Sequence, residues 1–162
     1  MHETAYLNPA LTIIYEDKRG PEVEHIVYHE EEGIIGFVKD LNKKNEVLHD
    51  VVYFKGEQDG ITVEAAFQYT NEFHENILGF CNNIFNAEGG THITGFKTVF
   101  TTVINSYARE LGILKEKDSN FTGADVRNGM TAIVSIKHPD PRFEGQLSLI
   151  HISEPTRLAL IS

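Results

Sequence analysis

Cysteine is almost missing: Cys81 is the one example in 162 residues. An internal disulfide framework and any cysteine-rich zinc site are therefore excluded, a usage that suits a reducing cytosol. Basic charge is also scarce, with 14 Lys and Arg against 24 Asp and Glu and a formal net charge of -10. Such a chain carries no overall electrostatic footprint for nucleic acid, so unaided DNA binding is not expected of it. No apolar run approaches the ~18 residues that cross a bilayer, and the opening Met1-His2-Glu3-Thr4 lacks the basic-then-apolar pattern of a signal peptide. The sequence reads as cytoplasmic, with no membrane partner. Only five prolines are present and no low-complexity stretch or internal repeat interrupts the chain. At 41% hydrophobic content and this length, roughly 70% of the unfolded surface can be buried, enough for one self-supporting core.

What is present alternates between strand and helix patterns. Leu11–Tyr15 is β-branched and aromatic and stops at the turn cluster Glu16–Pro21, and His25–His29 reads as a second short strand. Ile34, Ile35, Phe37, Val38 and Leu41 recur at helical spacing. Val51–Phe54 and Ile61–Tyr69 flank Asp59-Gly60, a hairpin pair. Asn76–Cys81 is expected to lie beside the second of these, as sequential strands commonly do. The strongest helix starts at Thr91, expected to cap it, and runs through Ile93, Phe96, Phe100, Val103, Ile104, Tyr107 and Leu111 to Gly112. A short helical turn at Thr122–Gly129 precedes a buried strand at Met130–Ile136, and Pro139 and Pro141 end the ladder. The expected fold is α+β, a mainly antiparallel sheet with helices packed on one face.

Self-contained chemistry is hard to find. Eight histidines fall on different elements without the i, i+4 pairing of a zincin, so no metal site is expected. There is no nucleophile elbow, and Gly89-Gly90 lacks the spacing of a Walker loop or dinucleotide fingerprint. Two glycines ahead of a long helix fit either a tight turn with a cap or an exposed set of N–H groups for an anion. Glu88, Asp125 and Glu144 are carboxylates that the sequence cannot bring together. From residues alone, an interaction or coupling module is favoured over a complete enzyme.

Several strings, taken in order, carry more. Glu3-Thr4-Ala5-Tyr6-Leu7-Asn8-Pro9, Asp59-Gly60-Ile61-Thr62-Val63-Glu64, Asn82-Asn83-Ile84, Glu88-Gly89-Gly90-Thr91-His92 and Asp125-Val126-Arg127-Asn128-Gly129-Met130 closely resemble the transducer domain of the bacterial type IIA topoisomerase ATPase subunit. That subunit is the B subunit of DNA gyrase or of its topoisomerase IV counterpart. The resemblance runs from about Glu3 to Gln146 and implies a ribosomal S5 domain 2-like fold over residues 1–146. It also implies a lever between an ATP-binding domain, expected upstream of Glu3, and a cleavage domain downstream. ATP and Mg2+ would be held mainly by that absent ATP-binding domain. The implied partners are double-stranded DNA, an A-type subunit and a second B-type subunit in a clamp, and the piece alone is expected to be inactive. The rival reading is a non-enzymatic S5-like assembly domain without nucleotide coupling.

Site residues follow from the resemblance position by position. Gln146 matches the glutamine of a Gln-Thr-Lys loop that reaches the ATP γ-phosphate, but Leu147 and Ser148 follow it, so the phosphate-sensing lysine is replaced. Loss of such a cation costs roughly several kcal/mol of barrier. Lys97 matches a position where the family often carries arginine facing the cavity for the captured duplex; an ordinary exposed helix lysine is the alternative. Gly89, Gly90, Thr91, His92, Asp125 and Arg127 belong to the structural motifs, Arg127 tying its short helix to neighbouring carbonyls or carboxylates. Residues 147–162, beginning Leu-Ser-Leu-Ile-His-Ile-Ser-Glu-Pro-Thr-Arg, look like a translated sequencing-library adapter and are expected to be a non-native tail, the alternative being a natural edge strand.

Overall fold

The computed structural model describes residues 2–144 and 148–151. Chain order is α1 (His2–Leu7), β1 (Ile13–Asp17), β2 (Glu24–Tyr28), α2 (Ile34–Asn42), β3 (Val52–Gln58), β4 (Ile61–Tyr69), β5 (Asn76–Cys81), β6 (Ile84–Phe85), α3 (Thr91–Glu110), α4 (Gly123–Arg127), β7 (Met130–Lys137), β8 (Arg142–Glu144) and β9 (Ser148–His151). Strands β3, β4, β7, β5 and β6 form one sheet in that spatial order, while β1–β2 and β8–β9 are separate antiparallel pairs. The class is α+β and most pairings are antiparallel, as the sequence indicates.

Three details differ from expectation. First, β5 does not pair with β4. The returning strand β7 inserts between them, antiparallel to β4 with Ala65 opposite Val134 and parallel to β5 with Leu78 opposite Ile133. Strand β7 is buried from Met130 through Ile136, and a strand apolar on both faces belongs at a sheet centre rather than an edge. Second, the helices occupy both faces of the sheet, not one. Phe37 and Val38 of α2 pack with Tyr6, Ala66, Phe80 and Ile133, whereas Ile93 and Phe96 of α3 pack with Ala65, Met130, Ala132 and Val134. Neighbouring residues of a strand point to opposite faces, so two apolar sets one residue out of phase need two helical layers. Third, α1 was not read as a helix: His2–Leu7 is short, but Ala5, Tyr6 and Leu7 are buried, and Tyr6 stacks on Phe37 at 4.9 Å.

The hairpin at Asp59-Gly60 forms as read, with φ of 52° and 76° and Gln58 opposite Ile61. A polar knot closes the α2 layer. Asn42 donates to Gln68 at 3.0 Å and accepts from Thr131 at 2.7 Å, all three buried, joining α2 to β4 and β7 through groups that would be costly to leave unpaired. Cys81 is fully buried and its thiol is pushed up to about 11 by that burial, so it packs as a small apolar residue.

The apolar stripe of α3 is buried unevenly. Ile93 and Phe96 are in the core, while Val103, Tyr107 and Leu111 are 47%, 60% and 66% exposed. Phe96→Ala should therefore cost roughly 3–5 kcal/mol in a urea unfolding curve. Tyr107→Ala on the same helix should cost well under half of that.

Candidate functional site

The residues singled out by the sequence gather at the two ends of the first half of α3. At its start, Gly89 adopts φ of 80°, a conformation that side-chain-bearing residues rarely take, and its N–H donates to the Asn86 carbonyl at 2.9 Å. Gly90 is extended and is the helix N-cap, with its carbonyl accepting from Thr94 N–H at 3.1 Å. Thr91 is thus the first helical residue, and no side chain caps the helix. The expected threonine cap is corrected: the glycine pair displaces the cap position by one residue.

His92 is the surprise of this segment. It is 1% exposed, and neither ring nitrogen has a hydrogen-bond partner among the described residues. Beside it, Asn86 is 2% exposed with its side-chain amide likewise unpartnered among those residues, and its N–H donates to Gly79 O at 2.9 Å. Gly79 is what lets the helix come this close to β5. A methyl group there would lie 2.5 Å from Ile93 Cδ1 and 2.7 Å from His92 Nε2. The reading of all histidines as solvated or hydrogen-bonded fails here. Position in the chain gave no warning, because the His92 ring is enclosed by a strand that is distant in sequence.

Burial pulls the His92 imidazole down to about 4. The unfolded ring takes a proton below about 6.5 while the folded ring refuses one until about pH 4, so acid favours the unfolded chain across that window. Stability should fall by about 3 kcal/mol between pH 6.5 and pH 4, measured by urea denaturation, and the slope should flatten in His92→Gln.

Two turns further on, Lys97 is neither free nor fully exposed. Its Nζ donates to Glu75 Oε1 at 2.5 Å, and Arg127 Nε donates to Glu75 Oε2 at 2.6 Å. One carboxylate, from the loop between β4 and β5, thereby ties α3 to α4. Side chains here are 16–34% exposed. Partial burial pushes the Glu75 carboxyl up, but hydrogen bonds from Lys97 and Arg127 outweigh it and hold the group below the usual carboxylate range. Arg127 Nη1 also reaches Thr101 Oγ1 at 3.4 Å. Asp125 serves the start of α4: Thr122 Oγ1 accepts from Asp125 N–H at 3.2 Å while the Asp125 carboxylate accepts from Thr122 N–H at 3.1 Å, a capping box. Tyr69 donates its hydroxyl proton to Val126 O at 2.5 Å, pinning α4 to β4.

Glu75 is the residue that sequence reading missed. Nothing in its local string separates it from Glu72, because its two partners lie 22 and 52 positions away. Arg109 was also unmarked, yet its guanidinium donates to the carbonyls of Lys115 and Asp118 at 2.9 Å each and to Asn120 Oδ1, organising the segment after α3. Gln146 lies outside the described residues. Glu88 and Asp125 make no shared site with Glu144, and no group of three or more His, Cys, Asp or Glu among the described residues is arranged to hold a metal ion. A double-mutant cycle on Glu75→Gln and Arg127→Met should give a coupling of about 1 kcal/mol that shrinks at high salt, as fits a partly screened pair.

Comparison with known proteins places these features in one family. The DNA gyrase B family model matches residues 33–147. The DNA gyrase B subunit of Enterococcus faecalis is 51% identical over 147 residues, which is 90% of this chain and 23% of that subunit. The Streptococcus pneumoniae subunit is 49% identical over the same shares. In structure, 99% of the chain superimposes on 43% of the 43K ATPase domain of Thermus thermophilus gyrase B, with a TM-score of 0.84 and 32% identity. The ATP-binding domain of Francisella tularensis topoisomerase IV shares the fold at a TM-score of 0.77 and 21% identity. The chain thus spans less than a quarter of the subunits it resembles, and with the matched model covering most of its length it belongs to the DNA gyrase B family.

Proposed function

We propose that residues 1–146 are the transducer portion of a gyrase B-type subunit, a lever that couples ATP binding and hydrolysis in a neighbouring domain to clamp closure and DNA strand passage. The observation that carries this reading is the superposition of almost the whole chain on under half of a gyrase B ATPase domain. That share leaves room in the relative for a separate nucleotide-binding unit. In the intact cytoplasmic enzyme the partners are double-stranded DNA, a gyrase A-type subunit and a second B-type subunit. ATP and Mg2+ belong to the full subunit, an ATP-hydrolysing topoisomerase and so an isomerase.

Within this reading, α3 is the moving part. Its 20 residues make a rod about 30 Å long, and Lys97 is carried on its first half. The Lys97 ammonium, held by Glu75, offers a positional contact to passing DNA phosphates without reading sequence. Gln146 is the γ-phosphate contact, and the Leu147-Ser148 sequence after it lacks the sensing lysine. Residues 147–162 are a non-native tail. That β9 forms a strand with β8 is compatible with this, since Leu149 and Ile150 are strand-forming whatever their origin.

The decisive experiment joins the upstream ATP-binding region of the Enterococcus faecalis subunit to this chain carrying Leu147→Thr and Ser148→Lys. Sedimentation with a non-hydrolysable ATP analogue should show nucleotide-dependent dimers, and reverting Ser148→Lys should weaken dimerisation at least tenfold. A chimera that folds, binds nucleotide and stays monomeric would favour a plain assembly domain instead.

A further inference from the structure

One face of the sheet is only half covered. Five strands spaced about 4.8 Å apart span about 19 Å, whereas one helix is about 10 Å across. On the α2 side, α1 and α2 share the cover. On the α3 side, α3 lies over β5 and β7, and α4 adds a single turn. The surface of β3 and the outer half of β4 is left open, forming a groove of about 1080 Å3 between β3 and α3. Val52, Phe54 and Phe67 make its floor, and Val103, Tyr107 and Leu111 make its wall. These are large apolar side chains, and most of the wall is well exposed. An apolar surface of this extent marks a binding face.

We infer that this groove is the seat of an amphipathic helix supplied by the gyrase B polypeptide itself, from the stretch that follows the position of residue 147 in its relatives. Three observations select that occupant. The family match ends at residue 147 although the relatives continue: this chain accounts for 23% of the Enterococcus faecalis subunit and 43% of the Thermus thermophilus ATPase domain. The chain also leaves on the correct side, since β9 comes against α3. Finally, the groove runs beside the exposed half of a straight 20-residue helix, the shape that a second helix fills at 8–10 Å interaxial distance with apolar residues at i, i+3, i+4 and i+7.

The seat has a mechanical consequence. A helix packed on Val103, Tyr107 and Leu111 would grip the C-terminal half of the same rod whose N-terminal half carries Lys97. The polypeptide following Gln146 is then fastened to α3 by packing, not only by chain continuity. This inference rests on family membership and on the open groove, and it stands or falls separately from the nucleotide-coupling role.

The test uses the 162-residue chain as it is. Its groove should bind the dye ANS, and a synthetic peptide spanning the stretch after the matched region of the Enterococcus faecalis subunit should displace the dye saturably. A scrambled peptide should not. Leu111→Asp should weaken that displacement at least tenfold while leaving the far-UV circular dichroism of the chain unchanged. In a second arm, residues 1–146 joined directly to the same stretch should lose most of the ANS emission and melt several degrees higher. Failure of the peptide to displace ANS together with undiminished emission in the fusion would overturn the inference. So would a 162-residue chain that sediments as a dimer, binds no ANS and reverts to a dye-binding monomer in Leu111→Asp, because the occupant would then be a second copy.

Discussion

The insertion of β7 between β4 and β5 is the constraint on which the rest of the architecture depends. This strand is the most buried element of the chain, and it satisfies its backbone groups on both sides, antiparallel to β4 and parallel to β5. Its alternating residues also supply the floor of both helical layers. Thr131 and Ile133 face α2, and Met130, Ala132 and Val134 face α3. A central strand that arrives last in the sequence makes the core a long-range assembly. The pairing of residue 65 with 134 and of 78 with 133 must wait for the segment between 82 and 129 to fold back.

On that frame, α3 lives in two environments. Its first half is locked by close packing over Gly79, by buried His92 and by the Glu75 bridge from Lys97. Its second half is held by polar clamps on one side, where Asn105 donates to Phe121 O at 3.1 Å and accepts from Phe121 N–H at 2.8 Å and Arg109 gathers the loop that follows. The opposite side is the apolar groove. Side-chain hydrogen bonds fix the helix against its own connecting segment, and apolar packing against a second helix is the kind of contact left to be made.

The sequence made the local elements legible wherever pattern and packing agree. The clean alternation of Ile61–Tyr69 matches β4 residue for residue, and the Asp59-Gly60 pair sits at the turn. Helix α3 was legible in length because its apolar stripe is continuous; how much of that stripe is covered was not, since periodicity marks a face and says nothing of what lies on it. Strand order was hidden for the same reason. The run Asn76–Cys81 carries no mark of its neighbour, and only the two-sided apolar character of Met130–Ile136 hints at a central place. The split of helices between faces could have been inferred from adjacent Ala65 and Ala66, both apolar in a strand otherwise alternating. Within the candidate site, the motif residues were readable by resemblance, but Glu75 was not, because an ion bridge across three elements leaves no local pattern.

The Glu75 bridge also bears on how a strongly acidic chain can serve a DNA-handling enzyme. With a net charge of -10, the domain as a whole repels a duplex at long range, and a screening length near 8 Å at physiological salt restricts any attraction to the immediate surroundings of a cation. Lys97 is such a cation, but its ammonium is already matched by a carboxylate at 2.5 Å. A phosphate must therefore compete with Glu75, while Arg127 remains to hold Glu75 in place when Lys97 turns away. The exchange replaces one ion pair with another of similar kind, so the net gain is small and reversible. In the proposed lever a weak contact is the useful one: the duplex has to be passed on, and an uncompensated cation in that position would retain it.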